Sequence, residues 1–297
     1  MEFGKLQDIT HVNWNLPSDD QNNRNRIKFE KPFKLYLGSP AWGVKNWCGK
    51  LYPEKTSTEE YLTYYSKHFN CIELNTTHYR IPDSKTVDSW KKKAAQGFQF
   101  CPKVFKEISH GRMGLTDKTL LSHWTQFLDE MQGSLGPCFI QLHEMFSYQD
   151  KKLLFHFLEG WPTEFKLTLE LRHPSWYENG KVLPALVDYL YKKNIGLVIT
   201  DVAGRRDILH SSLSSSWSQI RLIGNDLDPS DERRLMDWGE RILDWKKMGL
   251  NEVYLFLHQP DDIFTIEFAR LASDVFTKIG FLDIPNFAME QTQEKLF

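Results

Sequence analysis

From Lys34 onward, short runs of β-branched, aromatic and leucine residues alternate with longer amphipathic runs. The short runs fall at 34–39, 70–75, 98–103, 137–142, 166–171, 196–201, 217–223 and 251–257. They read as strands. The longer runs, at 57–68, 84–95, 118–132, 149–159, 180–194, 230–248 and 263–279, read as helices. The sixth crossover, Val202 to Ser216, is short and serine-rich, so no helix is assigned to it. Such alternation demands parallel pairing through right-handed crossovers. Eight units fill residues 34–280, close to the roughly 250 residues of a (β/α)8 barrel. The expected fold class is therefore α/β, a TIM-like (β/α)8 barrel. Residues 1–33 are polar and irregular and read as an extension draped over that domain, with 281–297 as a C-terminal tail. A doubly wound open sheet is the alternative. It is weakened because Gly38-Ser39-Pro40-Ala41-Trp42-Gly43 is not a glycine-rich phosphate fingerprint.

Within each strand the side chains divide by parity. Leu167, Leu169 and Leu171 share one face, and Thr168, Glu170 and Arg172 the other. Ile72 and Leu74 oppose Cys71, Glu73 and Asn75, and Phe98 and Phe100 oppose Gln99, Cys101 and Lys103. Ile140 and Leu142 oppose Phe139, Gln141 and His143, while Ile220 and Leu222 oppose Gln219 and Arg221. In the last strand Val253, Leu255 and Leu257 oppose Tyr254, Phe256 and His258. The apolar face meets the helices. The other face points inward and turns polar toward the C-terminal end of each strand. Burying Glu73, Lys103, Glu170, Arg172 and Arg221 without partners would cost several kcal/mol each. They are expected to line the C-terminal mouth, where barrel active sites sit.

Composition narrows the classes. Lys and Arg number 37 against 39 Asp and Glu, a net charge of −2, and the pI is near 6.6. There is no global pull toward nucleic acid or acidic membranes, and extended duplex binding is disfavoured. A short strand or strand end remains compatible. No apolar stretch approaches the roughly 20 residues of a spanning helix, and Met1-Glu2-Phe3-Gly4-Lys5 has no apolar signal region. Cys48, Cys71, Cys101 and Cys138 lie far apart with no CxxC pairing, which argues against a zinc ribbon. A reducing cytoplasm is the expected compartment.

Arg172 and Arg221 are the candidate anion binders, with Asn75, Gln141, Trp42, Tyr79 and Trp176 as further substrate contacts. Glu73 and Glu170 could form an acid/base pair, with Lys103 as base or phosphate ligand and Asp201 as a further catalytic carboxylate. The bland alternative is an ion-pair network in which these carboxylates neutralise the cations. No compact metal motif exists, so no cofactor is required. His143, Glu144 and His258, with Glu170, are the candidates should a divalent metal bind.

Three segments carry a family likeness. They are Gly38-Ser39-Pro40-Ala41-Trp42 with Trp47 and Tyr52-Pro53, then residues 69–82 around Glu73-Leu74-Asn75, and Glu170-Leu171-Arg172-His173-Pro174-Ser175-Trp176. Over about residues 34–280 the chain resembles domain-of-unknown-function family 72, the YecE-like proteins. The resemblance implies a TIM-like barrel and no established activity. The family has been likened to metal-dependent DNA-repair endonucleases of barrel fold, an analogy of fold alone. Glu73, Asn75, Lys103, Gln141, Glu170, Arg172, His173, Asp201 and Arg221 match the family pattern. His78 stands where the family tends to have an aromatic. His143-Glu144 replaces a Pro-Pro pair, Ile223 a histidine and His258-Gln259 an Asn-Asn pair. These departures mark a divergent member.

Three functions follow. The first is an enzyme for a small phosphorylated or otherwise anionic substrate, of hydrolytic or phosphoryl chemistry. The second is a carbohydrate-active enzyme using paired carboxylates, which Arg221 on the seventh strand disfavours. The third is a non-catalytic binding or regulatory barrel.

Overall fold

All eight strands read from the sequence are present in the computed structural model, which describes residues 4–27, 29, 31–111, 113–285 and 287. In chain order the strands are β1 (Lys34–Gly38), β2 (Cys71–Leu74), β3 (Gln99–Pro102), β4 (Cys138–Gln141), β5 (Leu167–Glu170), β6 (Tyr177–Glu178), β7 (Lys181–Val182), β8 (Gly196–Asp201), β9 (Trp217–Ile223) and β10 (Glu252–His258). The central sheet has six parallel strands in the order β1-β10-β9-β8-β5-β4. A parallel pair, β2-β3, stands beside it. Backbone bonds from Asn70 to Leu37 at 3.3 Å and from Glu73 to Ser39 at 3.1 Å tie β2 to the β1 side. Isolated parallel bridges at Phe100–Leu135 and Lys103–Phe139 tie β3 to the β4 side.

The helices are α1 (Asn23–Arg26), α2 (Tyr61–His68), α3 (Ser84–Lys93), α4 (Lys106–Ser109), α5 (Lys118–Met131), α6 (Lys151–Glu159), α7 (Pro184–Lys192), α8 (Pro229–Met248) and α9 (Thr265–Lys278). Local chemistry starts and stops them. Asp83, Asp117 and Asp228 accept backbone N–H bonds at the starts of α3, α5 and α8. Gly249, at φ +108°, ends α8 in the left-handed conformation. The long helical run expected at 180–194 begins only at Pro184. Asn179 and Gly180 both have positive φ and turn β6 into the antiparallel β7, as an Asn-Gly pair favours.

Parity within the strands divides the apolar residues into two clusters. Outward positions such as Ile72, Ile140, Leu142, Leu169, Ile220 and Leu255 join the large core under the helices. Tyr36, Cys71, Cys101, Tyr254 and Phe256 form a second, smaller cluster on the other face. Tyr36 and Tyr254 are register partners and stack at 4.3 Å, nearly parallel. Gly38 sits so close to β2 that a Cβ there would lie 2.6 Å from the Cys71 carbonyl oxygen. Gly38→Ala should therefore cost about 1–3 kcal/mol through overpacking, read as a lower urea midpoint with an unchanged slope.

The β8–β9 crossover carries only a 3₁₀ stretch, Ala203–Ile208. The N-terminal segment packs against this crossover. Asn23 donates to Ser211 O at 2.8 Å and accepts from Leu213 N at 2.9 Å. Arg241 of α8 donates to Pro17 O at 3.1 Å and Trp245 to Asp19 at 3.0 Å. Much of the 281–297 tail lies outside the described residues. Among the described residues no helix is long and apolar enough to cross a membrane.

Candidate functional site

The polar ends of the inward faces meet in one buried ion lattice. Arg221 is its centre and is fully buried. It donates to both oxygens of Glu73, from Nε at 2.8 Å and Nη2 at 3.0 Å. Its Nη1 donates to Glu170 at 3.0 Å. Strand pairing produces this convergence. Gln141 is opposite Glu170, and Arg221 is opposite Thr200 on one side and Phe256 on the other.

The lattice extends outward from Glu170. Arg172 Nε donates to Glu170 at 2.9 Å, and Gln141 Nε2 donates to it at 2.8 Å. Lys103 Nζ donates to Gln141 Oε1 at 2.9 Å. On the other flank, Asn75 donates to Glu73 at 2.9 Å and His258 Nε2 lies 3.2 Å from Glu73 Oε2. Eight of the sequence candidates thus join one connected set: Glu73, Asn75, Lys103, Gln141, Glu170, Arg172, Arg221 and His258.

Electrostatics fixes the ionisation of this set. Burial pushes Glu73 up, but Arg221 and His258 outweigh it and hold the carboxyl well below the usual range. Burial likewise opposes ionisation of Glu170, and Arg221 with Arg172 brings it down to about 2. Burial and the nearby Arg221 push Lys103 down to about 8, against the pull of Glu170 and Glu73. Within the hydrogen-bonded set three cations therefore stand with two carboxylates, and Glu144 adds a further negative charge near Arg172.

A histidine row borders the lattice. His78 meets His110 edge-on at 5.2 Å, and His110 meets His143 at 5.5 Å. Burial, with repulsion from Lys103 on both and from the neighbouring rings on His110, lowers His78 and His110 to about 4. The sequence reading missed His110, whose part depends on the loop after β3 folding back beside His78.

The remaining candidates lie elsewhere. Asp201 is fully buried, accepting from Arg234 Nη2 at 2.7 Å and Trp238 Nε1 at 2.7 Å, and pairing with Arg206. Its parity explains this. Leu197 and Ile199 belong to the large core under the helices, and Asp201 shares their face. Trp42 packs edge-on against Trp90 and Phe100. Trp176 is buried, donates to Phe146 O at 2.8 Å and stacks on the Phe146 ring. Tyr79 is 76% exposed and edge-on to His78, while Trp42 is half-buried. The metal candidates do not assemble: His143 meets the His110 ring edge-on, His258 engages Glu73 and Glu144 is exposed. Among the described residues no group of three or more His, Cys, Asp or Glu is placed to hold a metal ion.

These features define an α/β protein with a mainly parallel sheet and an ion lattice at the C-terminal ends of its strands. The chain belongs to the family described as protein of unknown function DUF72, whose profile matches residues 36–278. It is 30% identical over 246 residues to the UPF0759 protein YecE of Escherichia coli K12, covering 76% of this chain and 87% of that one. A DUF72 family protein from Enterococcus faecalis superposes with a TM-score of 0.67 at 17% identity, over 85% of this chain and 98% of that one. One from Thermotoga maritima gives 0.63 at 21% identity, over 82% and 98%. These two structures bear on the fold alone.

Proposed function

We propose that the protein handles a small anionic substrate, a phosphate ester or a carboxylate, at the C-terminal end of β3, β4 and β5, with Lys103 and Arg172 gripping the anion. The charge count carries this reading. Within the hydrogen-bonded set Lys103, Arg172 and Arg221 stand with Glu73 and Glu170, one cation more than carboxylates, and Glu144 is a further negative charge near Arg172. Arg221 is spent on both carboxylates. Lys103 and Arg172 are at the half-buried edge, where a ligand can reach them. An ammonium near pKa 8 also lies within range to exchange a proton close to neutrality. We further read the parallel strands as closing into a (β/α)8 barrel with residues 1–33 as an extension over the β8–β9 crossover. The backbone bonds from β2 to the β1 side and the bridges from β3 to the β4 side support that closure.

Glycosidase chemistry is disfavoured by the same lattice. It needs one carboxyl protonated near neutral pH, and Glu73 and Glu170 are both held low. A thermal-shift series with inorganic phosphate, sugar phosphates, nucleotides and neutral sugars tests the proposal. A phosphorylated ligand at 100 times its Kd should add about 2.7 kcal/mol to the wild type. The gain should be largely lost in Arg172→Ala and Lys103→Met. Stabilisation that persists in both variants, or no stabilisation at all, would leave a structural lattice in a non-catalytic barrel.

A further inference from the structure

Lys103 differs from the other cations of the lattice in what it holds. Arg221 and Arg172 donate to carboxylates. Lys103 Nζ donates to the amide oxygen of Gln141 at 2.9 Å and, among the described residues, has no carboxylate partner. Gln141 fixes this order. Its Nε2 donates to Glu170 Oε2 at 2.8 Å, so its oxygen is the end left for Lys103. A neutral amide thus stands where a carboxylate would lock the side chain as an ammonium. Lys103 is itself half-buried. Burial and the positive charge of Arg221 and Arg172 outweigh the pull of Glu170 and Glu73 and bring its amine down to about 8. His78 and His110, close enough to feel the Lys103 charge, are lowered to about 4 and are neutral at pH 7. A lysine desolvated beside other cations is the setting in which the amine attacks carbonyl carbon.

We propose that Lys103 is a nucleophile that forms an imine with a small aldehyde or ketone bearing a phosphate or carboxylate, with Arg172 holding the anionic end. The inference deepens the anion reading and rests on it. As the ammonium, Lys103 draws the anion in; as the free amine, it reacts. An N–C bond forms and the carbonyl π pair moves to oxygen. Both amine protons pass to that oxygen, the C–O bond breaks and water leaves as the C=N bond is completed. No oxidant, reductant or further reactant is consumed. The Arg172 side chain is 13% exposed and pairs with Glu170, with Glu144 as a further negative charge near it. A cavity of about 440 Å³ beside His258, walled by the N-terminal segment and the loops after β1, β8, β9 and β10, has neither Lys103 nor Arg172 in its lining. The reacting carbonyl is therefore placed at the ends of β3, β4 and β5, and not there.

The test uses the full chain incubated with dihydroxyacetone phosphate or pyruvate, each beside an uncharged counterpart, dihydroxyacetone or acetone. Samples are reduced with borohydride and mapped by peptide mass. A stable adduct is expected on Lys103 with at least one of the anionic ketones, and the faster of the two names the anion. It should form about tenfold faster than with the uncharged counterpart, the gain from one charge-assisted contact, and Arg172→Ala should remove that preference. Lys103→Arg keeps the charge but lacks the amine and should give no adduct. If that variant does not fold, the position of the adduct in the wild type decides. Labelling should be half-maximal near pH 8, whereas an ordinary lysine gains free amine up to about pH 10 and beyond. No adduct on Lys103, adducts spread evenly over exposed lysines, or equal labelling by the uncharged ketones would overturn the proposal. Thermal shift with inorganic phosphate reads the anion site separately. Stabilisation without an adduct sinks the imine alone, and no stabilisation sinks the anion reading beneath it.

Discussion

Replacing Arg221 with methionine is expected to destabilise the fold by about 3–5 kcal/mol near pH 7, the cost of leaving buried charge uncompensated. For a chain of this size that is a fall of roughly 5–8 °C in Tm. The reason is geometric. Arg221 supplies two bonds to Glu73 and bonds to Glu170, and all three side chains are at most 1% exposed. Without the guanidinium, Glu170 keeps Arg172 and Gln141, whereas among the described residues Glu73 keeps Asn75 and His258.

The pH dependence should differ in sign. In the wild type both carboxyls are depressed below the ordinary 4.5, Glu170 to about 2. Their contribution is present above the unfolded value and is lost as pH falls through the folded values, between about pH 5 and pH 2. In Arg221→Met, burial dominates at Glu73 and raises its carboxyl, so protonation relieves the variant. The gap in urea midpoint between wild type and variant should narrow from about pH 7 to about pH 4. A gap that widens would mean that Arg221 is not what holds Glu73 ionised. Replacing the whole triad, Arg221→Met with Glu73→Gln and Glu170→Gln, should recover most of the loss, since removing a buried ionic group entirely is often near neutral.

The membership of this lattice was legible because strand parity is strict. Glu170 and Arg172 are two apart, as are Glu73 and Asn75, and Cys101 and Lys103, and each pair faces inward. The identity of each partner was not legible, because it depends on register between strands distant in the chain. Gln141 meets Glu170 only because β4 and β5 pair with those two residues opposite. Parity also carried a signal that the sequence reading did not use: Asp201 follows Leu197 and Ile199 on the helix-facing side. The cavity beside His258 was beyond sequence patterning. Two of its loops contain consecutive non-glycine residues at positive φ, Asp226-Leu227 and Asp261-Asp262, conformations that their residue types do not announce. A further part of its wall comes from residues 4–9, in an N-terminal segment whose polar, irregular sequence carries no periodicity to place it.

Asp201→Ala should cost a comparable 3–5 kcal/mol, again about the penalty for stranding a buried charge, but through a different part of the fold. Asp201 holds Arg234 and Trp238 of α8 to the end of β8, and both arginines around it lie over the Trp14 ring, Arg234 at 4.7 Å and Arg206 at 5.5 Å. Arg206 also donates to Trp14 O and Asn15 O. Loss of the carboxylate should therefore loosen the N-terminal segment together with α8. Hydrogen exchange should rise at residues 14–16 and in the first turns of α8, while β2 and β3 stay protected. A double-mutant cycle with Arg234→Met separates this network from a catalytic role. Arg234 also pairs with Asp231 and donates to Ile223 O, so the readout is the coupling: if Asp201 and Arg234 hold each other, the double variant loses less stability than the sum of the two single variants, by about 0.5–3 kcal/mol. If the two losses simply add, Asp201 and Arg234 do not stabilise each other. Either way the answer is read from stability, without knowing the substrate, which makes it the cleanest way to divide the carboxylates that hold the fold from those beside the candidate site.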